Sequence, residues 1–181
     1  MMVEISATLD AQVGTSLWLT WADIAIAQAK LARASREQVA IEYAASGKVP
    51  DAFGDELPAS MVTVAGVVAC LEGFSGEAGS KLGLPPLDGD MKDHERVWVR
   101  LSAGFDVGTY QNAWQSELKL WFGLRHGVVH PVATFKPPAE HPVIPGVSHV
   151  RALYTCELAE RSVEFMKLTL RRRVRSAPTS S

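Results

Sequence analysis

Cysteine is scarce: Cys70 and Cys156 are the only two in 181 residues. Each lies in an apolar stretch. Nothing in their placement suggests a disulfide scaffold, and they read as small core residues in a reducing compartment. An excess of charge of one sign is also missing. Lys and Arg together number 18 and Asp and Glu 20, a net charge of -2. That balance argues against a general nucleic-acid coat while leaving room for a local basic patch. The opening residues, MMVEISATLD, lack the basic-then-apolar layout of a signal peptide. The most apolar stretch, Met61 to Leu71, is too short to span a bilayer. The expectation is a cytoplasmic protein without membrane association. No internal repeat occurs, and no glycine spacing matches a Rossmann or P-loop nucleotide site, so no cofactor is expected.

What the chain does have is helix signal. Apolar residues make up 47% and charged residues 21%, a balance that suits one soluble domain with a sizeable core. Residues 16–45 contain neither proline nor glycine and are rich in strong helix formers. Thr15 or Ser16 is a candidate cap, with a start nearer Asp10 as the alternative. Pro58 suits the first turn of a second helix, which runs on to the GLPPLDGD break. A third helical region begins near Met91, is interrupted at DVGTY (where Asp106 suits a cap), and resumes to about His130, because Pro131 disfavours helix at the residue before it. After a loop with five prolines, a last helix is predicted from about Val147 to Arg173, with an apolar stripe of Cys156, Ala159, Val163, Met166 and Leu170. The architecture expected is all-α: an up-and-down bundle of four to five helices within a single domain, 1–175, with 176–181 as a disordered tail.

The stretch LRHGVVHPVATFKPP, Leu124 to Pro138, carries the chemistry. At about 100° per residue, Trp114, Leu118, Trp121 and Arg125 fall within about 60° of one another. An arginine on an apolar stripe needs an anionic partner or a polar cleft. Glu117, two turns earlier in the same arc, is one candidate partner. The arc spans more than half the wheel, which predicts burial on more than one side and hints at an oligomer interface. Three readings stand side by side. In a structural one, Arg125 snorkels and pairs with a carboxylate while His126 and His130 favour the negative end of the helix dipole. In a metal one, the two histidines share a helix face four residues apart. Against it, Gly127 stands where H-E-x-x-H has glutamate, and His141 and His149 could join only by folding back.

In the third reading Arg125 and His130 form one constellation. RHGVVH, an R-x4-H pattern with a polar residue after the arginine, resembles the active-site motif of the HEPN family. The resemblance implies a compact helical bundle and, for many members, a metal-independent endoribonuclease of toxin–antitoxin or phage-defence systems. Two protomers would face each other so that both motifs line one cleft. It assigns catalysis to Arg125, His130 and His126, with no metal, and it implies RNA as substrate, a homodimer, and an antitoxin or other partner protein. The H-x-Y form of the motif would need tyrosine at 132, where this chain has Val132, so regulation through that tyrosine is not implied. Arg171, Arg172 and Arg173 read either as a solvated basic helix end or as phosphate contacts. Trp98, Trp114 and Trp121 read as core rather than base-stacking platforms. The rival from another class is a non-catalytic helical module that binds a partner protein or nucleotide, as degenerate HEPN domains do.

Overall fold

A computed structural model describes residues 2–87, 89–105, 111–130 and 136–171, with side chains from Leu17 onward, Gln111 apart. It is an all-α helical bundle. Six helices are present among these residues: α1 (Met2–Ser46), α2 (Phe53–Lys81), α3 (Asp93–Gly104), α4 (Gln111–Val129), α5 (His149–Leu153) and α6 (Cys156–Leu170). An isolated antiparallel bridge joins Ala139 with Val147.

Small residues bring α1 and α2 together. Ala22, Ala25, Ala29, Ala32 and Val39 are buried along α1 at helical spacing. They face a helix whose own glycines permit close approach. A Cβ on Gly66 would come within 3.3 Å of the Ala25 Cβ, and one on Gly73 within 3.0 Å of the Trp18 Cβ. The pairings Trp18–Gly73 and Ala25–Gly66 run in opposite sequence directions, so the two helices are antiparallel. Gly47, at φ 65°, donates its N–H to the Tyr43 carbonyl at 2.8 Å and ends α1, a left-handed conformation that glycine adopts without penalty.

The main core lies where α1, α2, α3, α4 and α6 converge. Leu71, Leu101, Leu118, Trp121 and Met166 are all but inaccessible. Trp98 and Trp114 meet edge to face with ring centres 5.4 Å apart, and Trp114 donates its indole N–H to the Thr169 hydroxyl at 3.0 Å. The three tryptophans of α3 and α4 are core residues. A second, smaller cluster of Val39, Phe53, Ile144 and Val147 fastens the loop after α4 against the far ends of α1 and α2.

Three boundaries differ from those expected. Helix α1 passes through Thr15 and Ser16 without a break, and begins well before Asp10. Helix α2 starts at Phe53, leaving Pro58 inside it; Asp55 and Glu56 supply the acidic first turn that suits a helix N-terminus. The predicted last helix is two. It breaks at Tyr154, and α6 restarts on Thr155, whose side chain accepts from the Leu158 N–H. Helix α2 is also long and apolar enough, by length and composition, to cross a membrane, although half of its most apolar window is buried in the bundle. Met61 to Leu71 is only part of this helix, which continues in both directions from Phe53 to Lys81. Asp106, Pro131, Val132, Arg172 and Arg173 fall outside the described residues.

Candidate functional site

Arg125 continues the stripe of Trp114, Leu118 and Trp121, as the wheel predicts, but at the end of α4 where the core gives way to solvent. Its side chain is 35% exposed, and its Nη2 lies 3.8 Å from Glu72 Oε2 on α2. That separation makes a loose ion pair rather than a hydrogen bond. Burial pushes the Glu72 carboxyl above its ordinary value, with Arg125 pulling the other way and Asp93 adding to the rise. The start of α3 therefore borders the same cluster. His94, beside Asp93, has its ring 6.3 Å from that of Phe122 on α4.

Glu117 is not the partner of Arg125. It pairs with Arg161 on α6. Eight residues of helix separate Glu117 from Arg125, a rise of about 12 Å that their side chains do not bridge. The true partner, Glu72, went unread, although a signal was present: it is a lone carboxylate between Leu71 and Phe74 in the most apolar helix.

His126 and His130 are both exposed, with ring centroids 4.8 Å apart and planes tilted by 49°. The His130 backbone N–H still donates to the His126 carbonyl at 2.8 Å, so the helical path holds to that residue. The helix end is anchored from behind. Tyr154 donates its hydroxyl to the Leu124 carbonyl at 2.7 Å, and a Cβ on Gly127 would stand 3.2 Å from that hydroxyl. His126 and His130 thus lie together on an accessible, anchored helix end, with Arg125 directly before them in sequence but turned toward Glu72. Arg171 does not join them. It is exposed at the C-terminal cap of α6, and the Trp114–Thr169 bond places that end of α6 beside the start of α4. From Trp114 to Arg125 is about 17 Å along the helix axis.

A second cluster of the same residue types gathers around Glu56, about 24 Å before Glu72 along α2. Arg36 (α1) grips Glu56 (α2) through Nε at 3.0 Å and Nη2 at 2.6 Å, and donates from Nη1 to Glu157 (α6) at 3.0 Å. The Cys156 N–H, first in α6, donates to Glu56 at 2.9 Å. His141, from the loop, places Nε2 3.2 Å from Glu56 and 3.0 Å from Arg36 Nη2. The Arg36 and Glu56 side chains are 5% and 2% exposed. The narrow void beside them, lined by Phe53, Glu56, Leu57, His141, Arg151 and Tyr154, is too small for a water molecule. Although burial works against its charge, Glu56 and Glu157 hold Arg36 above its ordinary value. Burial, then the neighbouring Arg36, push His141 below its own. Burial drives the Cys156 thiol up to about 12, so it is no nucleophile.

Oxygens of Glu56 and Glu157 and the Cys156 sulfur lie within 4.8 Å of one another. They do not make a cation site, because Arg36 already supplies the positive charge and Glu56 is committed to its hydrogen bonds. His141, held in this network, cannot fold back to His126 and His130, which removes one of the two further ligands the metal reading had available.

Comparison with protein families, with curated proteins and with solved structures finds no match.

Proposed function

We propose that the protein is a metal-independent endoribonuclease of the HEPN type, acting in the cytoplasm as a homodimer in which two α4 ends share one cleft. The observation that carries the reading is the accessibility of the constellation. Arg125 is about one-third exposed and tethered only loosely, and both imidazoles face solvent 4.8 Å apart. A sealed, fully bonded arginine would favour a structural role instead. The residue types suit the reaction. One imidazole, His130, takes the proton of the ribose 2′-OH as its oxygen attacks phosphorus. The P–O5′ bond breaks, and the leaving 5′-oxygen is protonated by His126 or by a histidine of the second copy. Arg125 holds the non-bridging oxygens as charge grows on them. The products are a 2′,3′-cyclic phosphate and a free 5′-hydroxyl.

The second copy has a surface to use. Leu120 and Val129 remain exposed on α4, and an open hollow of about 420 Å³ runs over Ser116, Lys119, Leu120, Gly123 and Leu124. A two-fold axis there would bring both motifs together. A toxin or phage-defence effector of this kind would have an antitoxin or other controlling partner.

Incubating the full chain with an RNA panel in EDTA tests the reading. Cleavage is expected, with cyclic phosphate on the 5′ fragment. Intact, folded protein that cleaves none of the panel overturns it in favour of the non-catalytic binding module, and zinc bound at one per chain would revive the metal reading. Light scattering that shows a monomer at micromolar concentration would remove the shared cleft.

A further inference from the structure

The loop from residue 136 to Ser148 is pinched closed by the Ala139–Val147 bridge, with N–H···O distances of 2.8 and 3.0 Å in the two directions. His141 projects from it into the polar socket between α1, α2 and α6, where its side chain is 1% exposed. The two loop amides select one tautomer of this ring, against the 3.0 Å approach of Arg36 Nη2 to Nε2. Nδ1 lies 3.3 Å from the backbone nitrogens of both Val143 and Ile144. Both are N–H donors, so Nδ1 must accept. The ring proton is then on Nε2, directed at Glu56 Oε2.

We propose that His141 is an acid-released latch: neutral, it locks the 136–148 loop into the bundle, and protonated, it leaves the socket and frees the loop while the helices stay packed. A proton on Nδ1 would turn the acceptor of two N–H groups into a third donor facing them. It would also place a second cation 3.0 Å from Arg36 Nη2.

The charged groups around the ring do not relieve this. On α2, Glu56 attracts the proton, but it already takes two N–H groups of Arg36 and the Cys156 amide. On α6, Glu157 is engaged by Arg36 of α1, with Arg33 of the same helix at 3.8 Å. The Cys156 thiol is held neutral. On α5, Arg151 lies over the Phe53 ring at 4.6 Å, and that ring meets His141 edge-on at 5.1 Å, which adds positive charge and an apolar wall. The burial that keeps the ring neutral acts in the same direction.

Release can be local. Apart from the bridge and His141, the loop's buried side chains are Ile144 and Val147, which belong to the small cluster with Val39 and Phe53 rather than to the main core. This inference does not depend on the ribonuclease reading.

Hydrogen exchange of the full chain, read as protection factors across about pH 7.5 to 5, tests it. The sign follows from linkage. The ring is neutral when latched and takes a proton near its ordinary value of about 6.5 when released, so opening binds a proton. Protection at Val143 and Ile144 is expected to fall about tenfold per pH unit below about 6.5, while amides of α2 and α6 hold. His141→Gln keeps a donor for Glu56 and His141→Asn keeps an acceptor for the loop amides; neither titrates, and both are expected to give a flat pH response. Loop protection that is flat in the unmodified protein, or that falls equally in both variants, overturns the latch. So does loss of loop and core together. Should neither variant fold, the ring's NMR titration decides: protonation in the same pH interval as opening supports the latch, and protonation without opening overturns it.

Discussion

Two arginines, each set against a glutamate of α2 with histidine close by in the fold or the sequence, have opposite fates. Arg36 meets Glu56 at 2.6 and 3.0 Å with both side chains almost wholly buried. Arg125 meets Glu72 at 3.8 Å with about a third of each side chain in water. At the first, Arg36 and Glu56 are joined by short bonds away from water, so the cluster is a fastener. At the second, the guanidinium keeps free donors and two imidazoles stand clear of the protein, so the cluster is available to a ligand. What separates structure from chemistry here is the burial and bonding around the residues, since their types are the same.

The sharpest way to break the comparison is to remove both arginines in turn. Arg36→Ala leaves Glu56 buried without its partner and is expected to cost about 3–5 kcal/mol in denaturant unfolding. Arg125→Ala is expected to cost less than about 1 kcal/mol, as for an exposed pair. Equal losses at the two sites would abolish the distinction. On activity the order reverses. His130→Ala is expected to slow RNA cleavage by about 10²–10⁴-fold, with Arg125→Ala at least as damaging and both variants melting near the parent. Arg36→Lys, which retains charge but loses the two-pronged grip, should leave cleavage by the folded fraction unchanged.

A smaller effect follows from acid. The folded state holds His141 below its ordinary value, so its contribution to stability is full above about pH 6.5 and is lost as pH falls through the folded value. Unfolding free energy measured from pH 7 to 5 should decline in the parent and decline less in His141→Gln. The smallest effect is at Glu72, whose carboxyl burial holds above its ordinary value in spite of Arg125. A group shifted upward contributes stability below the unfolded value, about 4.5, and loses it as pH rises through the folded one. Glu72→Gln at pH 7 should therefore melt no lower than the parent. A clear drop would show that the open pair stabilises the fold as the closed one does.

Sequence patterns reach as far as local periodicity reaches. The stripe of Trp114, Leu118, Trp121 and Arg125 is a fact about one helix, and it was legible, as were the bundle and the tryptophan core. The two clusters of arginine and glutamate are facts about pairs of helices. Arg36 stands 20 residues from Glu56 and 121 from Glu157, and no spacing rule connects them. His141 sits in a proline-rich stretch that reads as exposed loop, and only the α1–α2–α6 junction makes it core. The break at Tyr154 was missed for a different reason. No proline or glycine marks it, and the predicted apolar stripe, Cys156 to Leu170, lies wholly beyond it.

Gly127 illustrates how packing limits the sequences open to this chain. One substitution, glycine to glutamate at that position, would turn HGVVH into the H-E-x-x-H of zinc peptidases. Yet the first carbon of any side chain there comes 3.2 Å from the Tyr154 hydroxyl, which is occupied at 2.7 Å with the Leu124 carbonyl. The change would press on the bond that steadies the last turns of α4, just where the new ligands would need to be held still. A neighbouring chemistry one residue away on paper is thus set apart from this fold by a tyrosine twenty-seven positions along the chain.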